Sequence, residues 1–369
     1  MAKDHKIRIR DEILRWFDVN RRDLPWRGEV SPYAVWISEI MLQQTRVQAV
    51  IPYYRRWMER FPDLGTLAAA PEEDLLKCWE GMGYYSRARN IHKTARILAK
   101  DYGGEFPADH HALLRLPGIG SYTAGAVMSI AFHEDYPAVD GNVERVFARL
   151  FDIAVPAGEK NARSFIRRTA EAMIPPGEAG RFNQALMDLG ATICVPRNPA
   201  CPECPVGMFC ESLRAGTVDR RPVPAVKKPA ERIGVTVGVL FRKSRIFIQK
   251  RPAMGLLPNL WEFPGGKISE GESPEEALER EFQEELELGV RIVEKIALIR
   301  HSYTTFRVSL HAFLCTPLDE AREPVLHAAG EARWVTPDEL DHYPFPAANR
   351  KLIGILRGTK ALVSPAPAS

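Results

Sequence analysis

Four cysteines near the middle of the chain have a spacing that predicts metal chemistry. Cys194, Cys201, Cys204 and Cys210 form a C-x6-C-x2-C-x5-C cassette. Four thiolates suit either zinc or an iron–sulfur cluster. Zinc sites usually contain two C-x2-C pairs and this cassette has one, so the spacing favours a [4Fe–4S] cluster. Two disulfides are the alternative for an exported chain, but the N-terminal sequence has no apolar signal core.

Two carboxylates in different surroundings predict acid–base chemistry. Glu39 interrupts the apolar segment WISEIML, so burial should raise its pKa and favour a proton donor. Asp140 lies near Asn142 and backbone N–H donors, and we expect it to stay ionised. Such a pair could protonate a leaving group while stabilising an oxocarbenium-like sugar. Taken singly, each carboxylate is more often a capping or ion-pairing residue.

A glycine-rich turn between two helical segments could bind an anion. The segment LPGIGSYTAGAV, residues 116–127, contains Pro117, Gly118 and Gly120. Backbone N–H groups at such a turn can bind a phosphate without side-chain charge. On DNA this contact would fix register without reading sequence. An ordinary turn between helices is the alternative.

These residues require two kinds of domain to position them. Helical periodicity runs through residues 6–212, whereas alternating strand patterns follow Ile233. Among the strands, Ser273 and Glu276 predict the capped start of one helix. We therefore predict an all-α domain over 1–213, a linker over 214–230, an α+β domain over 231–358 and a disordered tail over 359–369.

Composition bounds the function only weakly. The net charge of +3 is too small to indicate a nucleic-acid binder, so any DNA-binding charge must be local. No apolar run approaches the length of a membrane span. We expect a cytoplasmic protein with reduced cysteines.

Five further segments carry a family resemblance. The chain contains LPWR (24–27), SEIMLQQTRV (38–47), WEGMGYYSRARN (79–90), VDGNV (139–143) and FNQALMDLGATIC (182–194). With the glycine-rich turn and the cassette, they resemble the helix-hairpin-helix DNA glycosylase superfamily, and within it the MutY family of adenine glycosylases. The resemblance implies base excision repair of adenine opposite 8-oxoguanine or guanine in double-stranded DNA. It also implies a monomer associated with the nucleoid and carrying a [4Fe–4S] cluster.

The resemblance also assigns roles to residues. Glu39 would protonate adenine N7, and Asp140 would stabilise or attack C1′, with Tyr122 and Asn142 in support. Bifunctional relatives carry a Lys where Tyr122 stands, so the chain should remove the base without efficient strand cleavage. The adenine pocket would be lined by Trp26, Arg27 and Gln184, and the helix would be probed at the lesion by Gln44, Thr45 and Tyr84.

The second domain resembles Nudix hydrolases. Residues 265–288 are similar to the Nudix box, although Glu287 stands where the box has a glycine. Glu281, Glu284 and Glu285 share one helix face, which makes them candidate Mg²⁺ ligands. MutY relatives commonly carry a decayed Nudix-like domain that reads the lesion. Here the acidic helix survives, so nucleotide pyrophosphohydrolase activity is the alternative function.

The lesion-reading segment departs from the family pattern. The family usually has a Phe-Ser-His triplet, which aligns here with Tyr303, Thr304 and Thr305. The aromatic and hydroxyl groups are kept in kind, but the histidine is absent. We therefore expect 8-oxoguanine to be distinguished from guanine less sharply or by a different arrangement.

Overall fold

The computed structural model describes residues 3–28, 30–156, 158–225, 231–303 and 306–358. They form two compact units. The first contains the residues up to 70 together with 89–225, and the second contains 71–88 together with 231–358. The second unit therefore includes a segment from the helical part of the chain. The predicted tail and the last five residues of the predicted linker lie outside the described residues.

Helices account for the region up to Arg214, as predicted. In chain order they are α1 (Lys3–Asn20), α2 (Pro32–Leu42), α3 (Val47–Arg60), α4 (Leu64–Ala69), α5 (Glu72–Cys78), α6 (Tyr85–Asp101), α7 (His110–Leu114), α8 (Ser121–Ala126), α9 (Gly141–Leu150), α10 (Lys160–Met173), α11 (Ala179–Thr192) and α12 (Glu211–Arg214). A π-helical turn, Val127–Ala131, continues α8.

The core of the first unit fixes the helices that carry the predicted site. Apolar faces of α1, α9, α10 and α11 meet around Ile13, Phe147 and Phe182. Helix α2 is buried along almost its whole length, so its polar residue Glu39 is buried with it. Among the described residues, no helix combines the length and apolar character needed to cross a bilayer.

The second unit is built on a mixed six-stranded sheet. Its strands are β1 (Glu231–Arg242), β2 (Arg245–Lys250), β3 (Trp261–Glu262), β4 (Val290–Ser302), β5 (Phe306–Pro317) and β6 (Glu331–Val335), and its helices α13 (Pro274–Leu286) and α14 (Ala347–Gly358) follow β3 and β6. The strand order is β3-β2-β1-β5-β4, with β6 paired to β2. Strands β1 and β5 are parallel, and the other pairs are antiparallel.

Alternation along the strands places a helix on each face of this sheet. Val239 packs in one core with Leu352 of α14, while its neighbour Leu240 packs in another with Phe282 of α13. The predicted capping box at the start of α13 is confirmed. Sequence patterns missed α14 and the short strands β3 and β6.

Candidate active site

One cleft in the first unit brings together most of the predicted site. Its volume is about 2050 Å³. Nine residues singled out from the sequence line it: Trp26, Arg27, Glu39, Gln44, Thr45, Tyr122, Asp140, Asn142 and Gln184. A cleft of this size leaves room for a base turned out of a duplex.

Glu39 is the buried acid of the cleft. Its residue exposure is 5% because α2 packs on all sides, and its carboxylate Oε2 accepts a hydrogen bond from the Tyr122 hydroxyl on α8. Burial raises the pKa of Glu39 to about 7, against the opposing effect of that hydrogen bond. The predicted rise is confirmed, and it makes Glu39 able to donate a proton near neutral pH.

Asp140 is the N-cap of α9. Its Oδ1 accepts from the backbone N–H groups of Asn142 (2.9 Å) and Val143 (2.8 Å), and its Oδ2 accepts from Asn142 Nδ2 (2.6 Å). Desolvation nevertheless raises the pKa of Asp140, and these three hydrogen bonds oppose the rise. Burial raises the pKa values of both Asp140 and Glu39, because both carboxyls face the same cleft. That Asp140 stays ionised remains a prediction.

Arg145, which the sequence interpretation missed, connects the Asp140 region to the cysteine cassette. Its guanidinium donates to Asn142 Oδ1 (2.8 Å), to the Gly190 carbonyl (2.7 Å) and to the Cys194 carbonyl (2.8 Å). Helices α9 and α11 approach closely here, since a Cβ on Gly190 would lie 2.6 Å from Asn142 Cβ. The side chain that orients Asp140 is thereby fixed from a second helix.

Asn183 is a second positioning residue that sequence patterns did not indicate. It is fully buried; its Nδ2 donates to the Tyr136 carbonyl (2.8 Å) and to Ser129 Oγ (2.9 Å), and its Oδ1 accepts from Ala138 N–H (3.1 Å). These bonds fix the extended segment that leads into Asp140. The signal that could have found it is a polar side chain on the apolar face of α11.

Arg27 lies in the cleft but is not available as an unpaired cation. Its Nη1 and Nη2 atoms pair with the fully buried Asp188 at 2.8 and 2.9 Å, and Arg22 Nε pairs with the same carboxylate at 2.9 Å. Burial raises the pKa of Asp188, but the two arginines hold this pKa below its ordinary value. This clamp places Trp26, which packs edge-on against Tyr54, at the cleft wall.

The four cassette cysteines converge on one small cavity and form no disulfide. Arg149 lies beside them; its Nη1 donates to the Val195 carbonyl (2.7 Å) and is 3.5 Å from Cys194 Sγ. Burial raises the pKa of Cys204 to about 11 and also raises the pKa values of Cys201 and Cys210, so these three thiols are poor thiolates unless a positive centre binds them.

The cassette supplies four thiol sulfurs around one cavity, which is the donor set of a [4Fe–4S] cluster. The described residues contain no group of three or more His, Cys, Asp or Glu side chains placed to hold one metal ion. A [4Fe–4S] cluster takes its four thiolates on separate irons, so it accepts sulfurs spread around a cavity.

The glycine-rich turn lies between α7 and α8, as predicted. Gly118 has a φ of +77°, and a Cβ there would lie 2.7 Å from Asn90 Cβ on α6. Thr94, also on α6, donates to the Pro117 carbonyl at 2.8 Å. Gly118, Gly120 and Pro117 do not line the cleft.

In the second unit, Arg280 pairs with three acidic side chains on and before helix α13. Its guanidinium pairs with Glu272 (2.8 Å), Glu281 (2.9 Å) and Glu284 (3.0 Å). Glu285 accepts instead from Gln249 Nε2 at 2.9 Å. No group of acids poised for one metal ion is found in the described part of the chain, so Mg²⁺ at this helix stays a prediction. Glu287 ends α13 with a φ of 49°, which explains why glycine is favoured at this position.

The two remaining predicted lesion contacts also belong to the second unit. Tyr84 precedes α6 and is 42% exposed. Tyr303 follows β4, with its ring stacked on Phe306 at 4.6 Å and edge-on to His301 at 4.6 Å. Thr304 and Thr305 lie outside the described residues.

Comparison with known proteins supports both halves of the architecture. Residues 37–173 match the family described as HhH-GPD superfamily base excision DNA repair protein, and residues 236–354 match the NUDIX domain. A thermostable thymine-DNA glycosylase structure is similar at a TM-score of 0.53 and 31% identity, over 57% of this chain and 98% of that one. An endonuclease III–DNA complex is similar at 0.52 and 27% identity, over 59% of this chain and 99% of that one.

Three curated relatives carry the name adenine DNA glycosylase. The Buchnera aphidicola (subsp. Baizongia pistaciae) protein is 40% identical over 68% of this chain and 72% of its own length. The human protein is 32% identical over 95% of this chain and 74% of its own length. The Arabidopsis thaliana protein is 40% identical over 71% of this chain, although this match spans 48% of that protein. On these identities and coverages, the chain belongs to the adenine DNA glycosylase family.

Proposed function

We propose that this chain removes adenine mispaired with 8-oxoguanine, or with guanine, from double-stranded DNA by hydrolysing its N-glycosidic bond. The observation that carries the proposal is a buried carboxyl, Glu39, whose pKa is about 7 and which shares a cleft with Asp140. Protonation of a poor leaving group and stabilisation of a developing cation require these two groups.

The chemistry follows from the two carboxyls. The Tyr122 hydroxyl donates to Glu39 Oε2, which leaves Oε1 to carry the proton. That proton passes to adenine N7, and the C1′–N9 bond then breaks with its electron pair leaving on the base. Asp140 in its ionised form stabilises, or adds to, the positive C1′. Water completes the hydrolysis at C1′ and loses its proton to a carboxylate.

Tyr122 also supports base removal without strand cleavage. A Schiff base needs a nucleophilic amine at the position that the resemblance aligns with Tyr122, and a phenol cannot form one. Burial further raises the pKa of Tyr122 well above its ordinary value, which keeps it neutral. Borohydride should therefore trap no enzyme–DNA adduct in good yield, and efficient trapping would contradict this assignment.

Duplex binding is assigned to the glycine-rich turn and to the cleft wall. The backbone at Pro117, Gly118 and Gly120 would hold a DNA phosphate. Trp26, Arg27 and Gln184 would line the pocket for the flipped adenine, while Gln44, Thr45, Tyr84 and residues 303–305 would contact the helix at the lesion.

Cys194, Cys201, Cys204 and Cys210 would hold a [4Fe–4S] cluster, which would crosslink these four residues when bound. The chain's own contribution is the fixed position of the cassette, because Arg149 joins it to α9. Iron and sulfide analysis of the purified protein tests the assignment, and a colourless zinc-loaded protein would contradict it.

The direct test of the function is single-turnover adenine release from duplexes. We expect release from 8-oxoguanine:A and from G:A, and none from T:A, because the adenine must leave the stack and a stable pair resists this. Failure to release adenine from the 8-oxoguanine duplex would reject the proposed function.

Nucleotide hydrolysis by the second unit is a second candidate, favoured by one observation. Gln249 is buried; its Nε2 bonds Glu285, while its Oε1 has no hydrogen-bond partner among the described residues. Nearby Glu262 is partly buried, and burial raises its pKa to about 7. An amide oxygen beside two partly buried carboxyls suits a hard cation. Mg²⁺-dependent hydrolysis of 8-oxo-dGTP that is lost in Glu285→Gln would support this activity, and no hydrolysis across several nucleotides would reject it.

A further inference from the structure

Residues 71–88 are fastened to the C-terminal part of the second unit by their acidic side chains. Glu73 accepts a hydrogen bond from Trp261 Nε1 at 2.6 Å and pairs with Lys250 at 3.4 Å. Glu72 accepts from Asn259 Nδ2 at 2.8 Å. Helix α5 is therefore tied to strands β2 and β3, although the residues that flank segment 71–88 in the chain belong to the first unit.

The contacts that flank Tyr84 converge on a single residue, Phe345. Glu80 Oε1 accepts from the Phe345 N–H at 2.8 Å, and the Tyr85 hydroxyl donates to the Phe345 carbonyl at 3.0 Å. Both backbone polar groups of Phe345 are thus bonded by residues on either side of the 81–84 turn. Phe345 and Tyr85 are buried, so water does not compete well for these bonds.

Glu80 is also the centre of an ion-pair network. Its Oε2 pairs with Arg350 of α14 (2.8 Å) and with Lys77 (2.8 Å), and Lys77 donates in turn to the Tyr343 carbonyl (3.1 Å). The side chain of Glu80 is 14% exposed, so these pairs are only weakly screened.

The turn that these contacts flank is held in an unfavourable backbone conformation. Gly81, Gly83 and Tyr84 all have positive φ, and for Tyr84 (49°) this region is rarely adopted. Trp79 Nε1 donates to the Gly83 carbonyl at 2.9 Å, and the Arg87 guanidinium lies 5.3 Å from the Tyr84 ring centroid. A residue keeps such a conformation when the contacts around it hold it in place, so we attribute the conformation of Tyr84 to these contacts.

Segment 345–348 also lies in the core against which Tyr303 packs. Phe345 stacks on Phe263 at 5.6 Å, and Ala348, three residues further on, belongs to the same core. The Tyr303 ring packs against this core. Segment 345–348 is therefore hydrogen-bonded to the residues that flank Tyr84 and shares a core with Tyr303, the residue that begins the lesion-reading segment.

We propose that segment 345–348 is a shared anchor that couples Tyr84 to Tyr303, so that the two lesion contacts act as one reader of 8-oxoguanine. Glu80 and Tyr85 are the positioning residues of this coupling. The proposal rests on the proposed function, because lesion discrimination is the property that it explains. It assigns to this part of the Nudix-like domain a role in positioning a residue of the 71–88 segment.

A mutant cycle on the full chain tests the coupling. The quantity measured is the ratio of adenine-release rates, 8-oxoguanine:A over G:A, in single turnover. We expect Tyr84→Ala and Tyr303→Ala each to lower this ratio. In the double variant, the fold loss should be about tenfold smaller than the product of the two single fold losses. In a Glu80→Gln/Tyr85→Phe background, the two losses should multiply.

Tyr33→Phe is the matched control, because it also removes a buried phenol bond to a backbone carbonyl, that of Phe61 at 2.6 Å. It should leave the coupling unchanged. If the anchor double variant does not fold, Tyr85→Phe alone should still reduce the coupling.

The outcomes separate the two proposals. A wild-type chain that does not release adenine opposite 8-oxoguanine rejects the proposed function. The other case is a wild-type chain that releases adenine faster opposite 8-oxoguanine than opposite guanine. In that case the shared anchor alone is rejected if the fold losses of Tyr84→Ala and Tyr303→Ala multiply, or if their coupling survives in both Glu80→Gln/Tyr85→Phe and Tyr85→Phe.

Discussion

The two units contain carboxyls whose surroundings shift the pKa in opposite directions. In the first unit, Glu39 accepts its hydrogen bond from a neutral phenol, and burial raises its pKa to about 7. In the second unit, Glu272 bonds the Arg280 guanidinium, which lowers its pKa to about 2. The first arrangement keeps a proton available near neutrality, and the second keeps a permanent anion.

The first arrangement is the one that the proposed acid catalysis requires. A carboxylate that is ion-paired to an arginine contributes to structure but cannot donate a proton at neutral pH. A buried carboxyl with a neutral partner destabilises the fold when ionised, which is tolerated where function requires it. Glu262 qualifies the comparison, because burial raises its pKa to about 7 as well, although it pairs with Arg251.

The largest effect should come from Glu39→Gln. The amide cannot protonate adenine N7, so the single-turnover rate of adenine release should fall by about a thousandfold or more. Affinity for the 8-oxoguanine:A duplex should be retained, because the shape of the side chain is kept. Gel-shift titration and base-release kinetics measure the two properties separately.

Glu284→Gln is the matched control from the second unit. Glu284 is more than half exposed and pairs with Arg280, so its loss should leave base release unchanged. Near-normal turnover of Glu39→Gln, or a comparable loss in Glu284→Gln, would remove the distinction between the two sets of carboxylates.

The next effect concerns stability, and its sign should differ between the units. The folded pKa of Glu39 lies above its unfolded value of 4.5, so the wild type loses stability as pH rises from 4.5 to about 7. Glu39→Gln avoids this loss and should be more stable by up to about 3 kcal/mol above pH 7. Urea unfolding between pH 5 and 8 measures the gain, which should grow with pH.

Glu272→Gln should behave in the opposite way. The folded pKa of Glu272, about 2, lies below its unfolded value, so its contribution is present above pH 4.5 and lost as pH falls toward 2. The variant should be less stable than the wild type at pH 7, and the difference should shrink on acidification. A gain in stability at pH 7 would contradict the assigned ion pair.

Local patterns in the sequence predicted the features that depend on neighbouring residues. The apolar run around Glu39 predicted its burial, and Ser273 with Glu276 predicted the start of α13, because both depend on helical periodicity. The four cassette cysteines were also predicted to converge, because they are close along the chain, and they line one cavity.

Contacts between distant parts of the chain could not be predicted in this way. Arg22 and Arg27 meet Asp188 across more than 160 residues, and no periodic pattern indicates such a pair. Glu80 bonds Phe345 across 265 residues, so the attachment of 71–88 to the second unit was also missed. The direction in which the pKa of Asp140 shifts could not be read from the sequence either, because its hydrogen bonds are local whereas its desolvation depends on the whole cleft.

The smallest effect should come from Tyr122→Phe, and it tests the neutral partner of Glu39. The phenol hydrogen bond lowers the pKa of Glu39, so its removal should raise that pKa further above its ordinary value. The basic limb of the pH–rate profile for adenine release should then move to higher pH, while the rate on the acidic side falls about fivefold with the loss of one hydrogen bond. Tyr33→Phe should leave the limb in place. A limb that moves to lower pH would mean that the phenol favours the protonated carboxyl, and Tyr122 would then help to hold the proton rather than oppose it.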